Sequence, residues 1–157
     1  MMKKSILVFA GALILLGGIQ CVKQAPSCYG NSPDNEKPTI LTYANSKGLN
    51  GTFHSSGLYY QITDPGSGVS PTATSTLSVK YTGKFLDGTV FDSQTTTPIS
   101  LQLAQVITGW QIGLPLIKKG GTIKLIVPSA LAYGCKGRNS IPSNAILYFE
   151  IELVDVQ

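Results

Sequence analysis

Apolar and polar residues alternate in several short segments of this chain, and tight-turn signals separate these segments. The alternation is clearest in Leu77 to Tyr81 and in Ile123 to Val127. The last segment, Leu147 to Leu153, places Glu150 and Glu152 between apolar residues. A period of two is typical of a strand with one buried face. The pattern therefore predicts an antiparallel sheet that is covered on one face.

Turn signals divide the intervening sequence into further short elements. Strands are predicted over residues 58–63 and around residues 90–91, and Asp87-Gly88 supplies a turn before the second of them. Residues 64–76 are rich in Pro, Gly, Ser and Thr and are predicted to form a loop. A second loop is predicted over residues 94–97.

One short helix is predicted over residues 107–114. Ile107, Trp110 and Leu114 recur along one stripe of this segment. Pro115 ends the helix because it supplies no N–H and disfavours helical geometry in the residue before it. A single apolar helix can cover one face of a sheet. The predicted fold class is therefore α+β, an antiparallel sheet packed on one short helix.

The composition excludes several classes of function. Charged residues make up 13% of the 157 residues, and the net charge is +4. Without Lys3 and Lys4, ten basic residues remain against eight acidic ones, and they are scattered along the chain. Nucleic-acid binding is not expected, because it requires a basic patch. His54 is the only histidine, no phosphate-binding loop occurs, and no metal or other cofactor is expected.

The first twenty residues have the pattern of an export signal. Lys3 and Lys4 precede an apolar run from Ile6 to Ile19, which is shorter than the about 20 apolar residues of a membrane span. Cys21 follows at once, an arrangement that resembles a bacterial lipoprotein signal; the alternative is an ordinary secretory leader. We expect a signal peptide over residues 1–20, acylation of Cys21 and a membrane anchor in the bacterial cell envelope.

Residues 21–56 are predicted to tether the domain to its lipid anchor. Pro and Gly punctuate the first part, and residues 39–47 are expected to form a short helix that ends at Gly48. If Cys21 is acylated, Cys28 and Cys135 remain as an even pair. In an oxidising compartment the two form a disulfide or stay as free thiols, and we expect the disulfide.

Five short motifs occur in a fixed order along the second half of the chain. They are Val79-Lys80-Tyr81-Thr82-Gly83, Phe91-Asp92-Ser93, Val106-Ile107-Thr108-Gly109-Trp110, Ala132-Tyr133-Gly134 and Ile141-Pro142. The ordered set resembles the FKBP family, the FK506-binding peptidyl-prolyl cis-trans isomerases, from residue 58 to residue 156. The resemblance implies a domain over residues 57–157, a curved antiparallel sheet wrapped around one short helix. It also implies a prolyl isomerase that assists the folding of exported proteins.

The resemblance implies a hydrophobic pocket that accepts a prolyl ring. The residues expected to act in catalysis are Tyr81, Phe91, Asp92, Tyr133 and Phe149. The rings at positions 81, 91 and 149 would form walls of the pocket. Tyr133 would offer its hydroxyl to a substrate carbonyl, and Asp92 would orient polar groups at the edge.

A second set of residues is expected to bind the substrate. Trp110 would form the floor of the pocket, and Val106 and Ile107 its rim, where the Ile107 N–H would bind a ligand carbonyl. Ile141 would close one side. Expected partners are proline-containing polypeptides, FK506-type macrolides and, through the lipid anchor, a membrane.

Two departures from the family pattern bear on activity. Ile99 stands where many relatives carry a phenylalanine, so one aromatic wall is lost. Residues 94–97 contain no arginine that could reach Asp92, and the only arginine of the chain is Arg138. The alternative function is therefore a non-catalytic module or chaperone that binds proline-containing segments on the same fold.

Overall fold

The computed structural model describes residues 28–157. Within this range six antiparallel strands form one curved sheet, in the order β1-β2-β5-β6-β3-β4. The strands are β1 Thr52–Phe53, β2 Tyr59–Asp64, β3 Thr76–Phe85, β4 Val90–Gln102, β5 Thr122–Val127 and β6 Leu147–Val156. The helices of the same range are α1 Pro33–Ser46, α2 Thr108–Gly113 and the short 3-10 turns Leu103–Gln105, Leu114–Leu116, Ser129–Leu131 and Gly134–Lys136. The predicted α+β fold is confirmed.

Helix α2 packs on the inner face of the sheet, over the main core. It approaches β5 closely because two of its glycines face that strand. A Cβ on Gly113 would lie 2.8 Å from Leu125 Cδ1, and a Cβ on Gly109 would clash with Val127. The close approach buries Trp110 and Leu114 in the same cluster as the inner residues of β5 and β6. The glycine spacing thus fixes the depth at which Trp110 lies.

Strand β4 is longer than the sequence pattern suggested, because residues 94–97 lie within it. The pairing with β3 shifts at this point: Val79 pairs with Ile99, whereas Tyr81 pairs with Gln94. Residues 95–98 therefore form an extended bulge opposite the single residue Lys80. The prediction of a loop that ends the strand was wrong, since threonines also favour extended backbone.

Helix α1 begins at Pro33, not at residue 39, so it is longer than the predicted helix over residues 39–47. The Ser32 hydroxyl caps it by accepting a 3.3 Å hydrogen bond from the Asp34 N–H. Pro33 occupies the first helical position, where its missing N–H leaves no intrahelical bond unmade. Pro38 lies inside the helix, and the helix continues past it to Ser46.

Helix α1 covers part of the second face of the sheet. The buried cluster between them consists of Ile40, Tyr43, Ala44, Leu49, Tyr59, Ile126 and Tyr148. The rings of Tyr43 and Tyr148 are tilted on each other with centroids 5.6 Å apart. Helix α1 thus adds a second covered patch to the sheet, where Ile126 and Tyr148 interrupt the polar alternation on β5 and β6.

The N-terminal segment is also joined to the domain by a disulfide between Cys28 and Cys135, whose Cα atoms are 5.6 Å apart. Cys28 precedes α1, and Cys135 lies in the 3-10 turn Gly134–Lys136. The bond therefore connects two segments that are 107 residues apart in the sequence.

The expected signal peptide, residues 1–20, and the expected acylation site, Cys21, lie outside the described residues. Between residues 28 and 157, no helix combines the length and the apolar character needed to cross a bilayer.

Candidate active site

A cavity of about 320 Å³ opens beside α2, between the sheet and the loop that follows β5. Its lining residues are Tyr81, Phe91, Asp92, Ile99, Leu101, Gln105, Val106, Ile107, Trp110, Tyr133, Arg138 and Phe149. The cavity lies at the small end of the range of ligand pockets, which begins at about 300 Å³. A side chain of a polypeptide fits such a volume. Eight of the nine residues that the sequence suggested for this pocket line it together.

Aromatic rings form the floor and much of the wall of the cavity. Trp110 is 5% exposed, and its ring meets Tyr81 edge-on at 5.2 Å and Phe149 edge-on at 5.3 Å between centroids. Phe91 in turn meets Phe149 edge-on at 5.7 Å. Edge-to-face pairs of this kind add stability beyond the burial of their area. The four rings therefore support one another's orientation around the cavity.

Gly83 makes room for two of these rings. A Cβ at this position would lie 2.6 Å from Phe91 Cζ and 2.9 Å from Phe149 Cε1. Any side chain here would push the rings apart, since real Cβ atoms do not approach that closely. The glycine of the Tyr81-Thr82-Gly83 motif is therefore a packing requirement of the pocket wall. Its role was not identified from the sequence, although the motif containing it was.

Tyr81 and Asp92 contribute an exposed pair of polar groups to the cavity lining. The Tyr81 hydroxyl donates a 2.6 Å hydrogen bond to Asp92 Oδ2. Burial raises the pKa of Tyr81 above its ordinary value, and the hydrogen bond to Asp92 and the charge of that carboxylate raise it further. The hydroxyl is thus a stable donor, and it holds the Asp92 carboxylate beside the pocket.

Hydrogen bonds to backbone carbonyls shape the rim before α2. The Val106 carbonyl accepts a 2.7 Å bond from Gln111 Nε2. The Ile107 carbonyl accepts the Trp110 N–H at 2.9 Å and so begins the helix. These bonds fix the backbone at the two positions where the sequence places the substrate-binding rim. Gln111 was not among the predicted residues, because it acts from outside the lining.

The loop after β5 supplies the remaining wall. Tyr133 lines the cavity, and the guanidinium carbon of Arg138 lies 5.8 Å from the centroid of its ring. Ile141 does not line this cavity. It lines an adjoining cavity of about 330 Å³, whose lining also includes Phe91, Asp92 and Tyr133. The side that Ile141 was expected to close therefore opens into a second space along the same loop.

Charged groups near the cavity are few. Arg138 reaches both cavities, yet no ion pair among residues 28–157 involves either Arg138 or Asp92. In the same range, no group of three or more His, Cys, Asp or Glu side chains is arranged to hold a metal ion.

Sequence reasoning missed three residues of the lining: Leu101, Gln105 and Arg138. The alternation of Ile99 and Leu101 in β4 carried a signal for Leu101, since residues two apart point to the same face of a strand. Gln105 and Arg138 lie in a 3-10 turn and a loop, whose paths have no comparable periodicity.

Comparison with known proteins agrees with this geometry. The model of the family described as FKBP-type peptidyl-prolyl cis-trans isomerase matches residues 68–154. The chain belongs to this family. The match spans more than half of the chain and contains every lining residue of the cavity.

Curated relatives extend the similarity toward the N-terminus. The chain is 44% identical over 132 residues to the FKBP-type peptidyl-prolyl cis-trans isomerase FkpA of Escherichia coli K12, covering 81% of this chain and 48% of FkpA. It is 46% identical over 104 residues to a probable FKBP-type isomerase of Haemophilus influenzae, covering 64% of this chain and 43% of that protein. The chain thus spans about half the length of the curated relatives it matches.

Solved structures show the same fold. The crystal structure of E. coli FkpA superposes with a TM-score of 0.72 at 40% identity, covering 80% of this chain and 61% of that chain. A peptidyl-prolyl cis-trans isomerase from Pseudomonas syringae superposes with a TM-score of 0.68 at 29% identity, covering 82% of this chain and 98% of that chain. The second structure is matched over almost its whole length.

Proposed function

We propose that this protein is a peptidyl-prolyl cis-trans isomerase that assists the folding of exported proteins at the cell envelope. The observation that carries the proposal is the cavity of about 320 Å³ walled by Tyr81, Phe91 and Phe149 over Trp110. Membership of the FKBP family supports it. The proposed substrates are polypeptides that present a proline to this cavity.

The reaction requires no bond to be made or broken. Rotation about a peptide bond has a barrier of about 18–20 kcal/mol, because the planar amide is stabilised by resonance. The twisted transition state has lost that resonance and is less dipolar than the planar amide. An apolar pocket that excludes water therefore disfavours the ground state more than the transition state, and this difference lowers the barrier.

In the proposed mechanism Trp110 forms the floor under the prolyl ring. Tyr81, Phe91 and Phe149 form the walls, and their edge-to-face contacts hold the rings in place while the imide rotates. Ile99 and Leu101 complete the lining with aliphatic groups. The wall at position 99 is consequently less extensive than an aromatic one.

Polar groups at the mouth would orient the substrate backbone. The Ile107 N–H, beside the rim residue Val106, is proposed to bind a substrate carbonyl. The Tyr133 hydroxyl is proposed to donate to a second carbonyl, and Asp92, held by Tyr81, to orient polar groups at the edge. Ile141 is proposed to contact the chain that flanks the proline, from the adjoining cavity.

The cell envelope is proposed as the location because of the leader sequence. Residues 1–20 have the charge and apolar run of an export signal, and Cys21 follows that run directly. We propose that Cys21 is acylated and that the segment after it tethers the domain over residues 57–157 to the membrane. Mass spectrometry of the membrane fraction should find an acylated N-terminal Cys21. An unmodified Cys21 on a soluble, secreted product would reject the anchor.

An FK506-type macrolide is proposed to bind the same cavity. Trp110 is the only tryptophan of the chain, so its fluorescence reports directly on occupation of the pocket floor. Titration of a macrolide should change that emission and reach saturation. Ile99→Phe should tighten binding by enlarging the wall, whereas unchanged emission at every concentration would exclude the macrolide.

A protease-coupled cleavage assay on several X-Pro peptides tests the proposed activity. The wild-type protein should accelerate cleavage beyond the spontaneous isomerisation, which takes on the order of 10–100 s. The aliphatic wall at Ile99 is the observation that favours the alternative, a module that binds proline-containing segments without turnover. Saturable binding of these peptides with no acceleration would establish that alternative.

A further inference from the structure

A buried carboxylate joins α1 to the loop that carries Tyr133. Glu36 is 5% exposed, and Ser129 is fully buried. Glu36 Oε2 accepts the Ser129 N–H at 2.7 Å, and Oε1 accepts the Ser129 hydroxyl at 2.6 Å. Oε1 also accepts a 3.0 Å bond from Asn31 Nδ2. One side chain of the N-terminal segment therefore satisfies both donors of a buried residue 93 positions away.

The Glu36 contact lies just before Tyr133 in the loop of residues 128–137, which we call the Tyr133 loop. Ser129 begins the 3-10 turn Ser129–Leu131, and its carbonyl accepts the Ala132 N–H at 3.0 Å. Tyr133 follows directly after that turn. One hydrogen-bonded turn therefore connects Ser129 to Tyr133.

The disulfide holds the other side of the same loop. Cys135 lies two residues after Tyr133 and is bonded to Cys28. Cys28 and Glu36 both belong to residues 28–36, which we call the N-terminal strap. The strap therefore holds the Tyr133 loop on each side of the tyrosine, once through a covalent bond and once through a buried hydrogen-bonded carboxylate.

We propose that Glu36 is a positioning residue of the isomerase and that the N-terminal strap completes the active site by holding Tyr133 at the cavity wall. The strap lies outside residues 68–154, the range that matches the family model. This role rests on the proposed part of Tyr133 in catalysis. Glu36 acts through the loop, since its hydrogen bonds are with Asn31 and Ser129, neither of which lines the cavity.

The first test compares variants within one helical turn. Glu36→Ala removes both acceptors of Ser129 and should lower kcat/KM by about three- to tenfold, the worth of one hydrogen bond to the substrate. Glu36→Gln should retain most of the activity, because its amide can accept the Ser129 N–H and donate to the hydroxyl. Asp34→Ala is the matched control, since Asp34 is an exposed carboxylate in the same first turn. Equal kcat/KM for folded Glu36→Ala and Asp34→Ala would overturn the proposal.

A double-mutant cycle separates positioning from a loss of folded protein. In a Tyr133→Phe background, Glu36→Ala should have little further effect on kcat/KM, because the hydroxyl that it positions is already absent. If Glu36→Ala lowers kcat/KM by the same factor with and without Tyr133→Phe, the two residues act independently and the proposal is contradicted. If Glu36→Ala does not fold, Ser129→Ala enters the same cycle, with the same two outcomes and a smaller expected loss.

Amide hydrogen exchange tests whether the N-terminal strap holds the Tyr133 loop, independently of whether the protein is an isomerase. Residues 130–135 should exchange faster in Glu36→Ala than in wild type or Asp34→Ala, while the strands keep their protection. This result would support the strap even if the wild-type protein accelerated no X-Pro isomerisation. Unchanged exchange over these residues would reject the strap whether or not the protein is an active isomerase.

Discussion

The Tyr81 hydroxyl and the Asp92 carboxylate are joined by a 2.6 Å hydrogen bond at the mouth of the aromatic cavity. The two residues lie on β3 and β4, beside the bulge at residues 95–98. Tyr81 also packs edge-on against Trp110. One side chain therefore connects the apolar floor of the pocket to the acidic group at its edge.

Tyr81→Phe should lower kcat/KM about threefold, because it removes one hydrogen bond and keeps the ring. The protease-coupled assay on wild type and variant measures the change, and equal kcat/KM would contradict this role of the hydroxyl.

The raised pKa of Tyr81 predicts how the stability of the protein depends on pH. Burial and the hydrogen bond to Asp92 favour the protonated phenol in the folded protein. Its contribution to stability is thus fully present below the ordinary value of 10.0 and is lost as pH rises through the higher folded-state value. Titration of wild type and Tyr81→Phe, followed by ultraviolet absorbance, gives the signal of the Tyr81 phenol as the difference between the two curves. That phenol should titrate above pH 10.0. Titration at or below pH 10.0 would show that its pKa is not raised.

Phe91→Ala should open one wall of the cavity and lower kcat/KM by about tenfold or more, since orientation and exclusion of water both weaken. Phe91 is only partly buried, so the sheet should remain folded. Val90→Ala is the matched control, because Val90 is the preceding residue and is 50% exposed. Activity and thermal unfolding are measured on both variants. A Phe91→Ala protein that is folded and as active as Val90→Ala would remove Phe91 from the proposed mechanism.

Much of the fold and of the pocket could be predicted from periodicity and motif order. Alternation in β3, β5 and β6 identified the sheet, and the stripe through Trp110 identified α2. The start of α1 was missed although Ser32 followed by Pro33 is a sequence signal for a helix N-terminus. Pro38 disfavours a helix through this segment, and its cost is outweighed by tertiary contacts such as those of Glu36, which have no signal in the local sequence. Arg138 was missed for a related reason: the path of an irregular loop is set by contacts that have no period in the sequence.

Reduction of the Cys28–Cys135 disulfide should lower the free energy of unfolding. The bond spans a sequence separation of 107 residues, and restricting an unfolded loop of that length corresponds to about 4–5 kcal/mol in the chain-entropy picture. Denaturant unfolding with and without reductant measures the difference. The Cys28→Ser/Cys135→Ser double variant should match the reduced wild type and should not respond to reductant. Alkylation of two thiols in the native, non-reduced protein would show that the bond is absent.

Glu150 should contribute stability that is lost in acid. Burial alone would raise the pKa of Glu150, but hydrogen bonds from Lys84 and Tyr148 and the charges of Lys84 and Lys124 outweigh it and lower the pKa below its ordinary value of 4.5. The contribution is therefore present above pH 4.5 and is lost as the pH falls through the lower folded-state value.

The variant Glu150→Gln should flatten the acid limb of a plot of melting temperature against pH. Glu152→Gln on the same strand is the control, because the nearest lysine nitrogen lies 3.9 Å from Glu152 but 2.9 Å from Glu150. Identical acid limbs for wild type and Glu150→Gln would show that the ionised Glu150 carboxylate does not contribute to stability in acid.

Exchange NMR on a proline peptide at equilibrium measures rotation about the X-Pro bond directly, without a coupling protease, and so tests whether the aromatic cavity catalyses that rotation. Added wild-type protein should raise the cis–trans exchange rate in proportion to its concentration, and Phe91→Ala should raise it about tenfold less or not at all. An exchange rate that stays at the spontaneous value, across several X-Pro peptides that demonstrably bind the folded wild-type protein, would contradict the account.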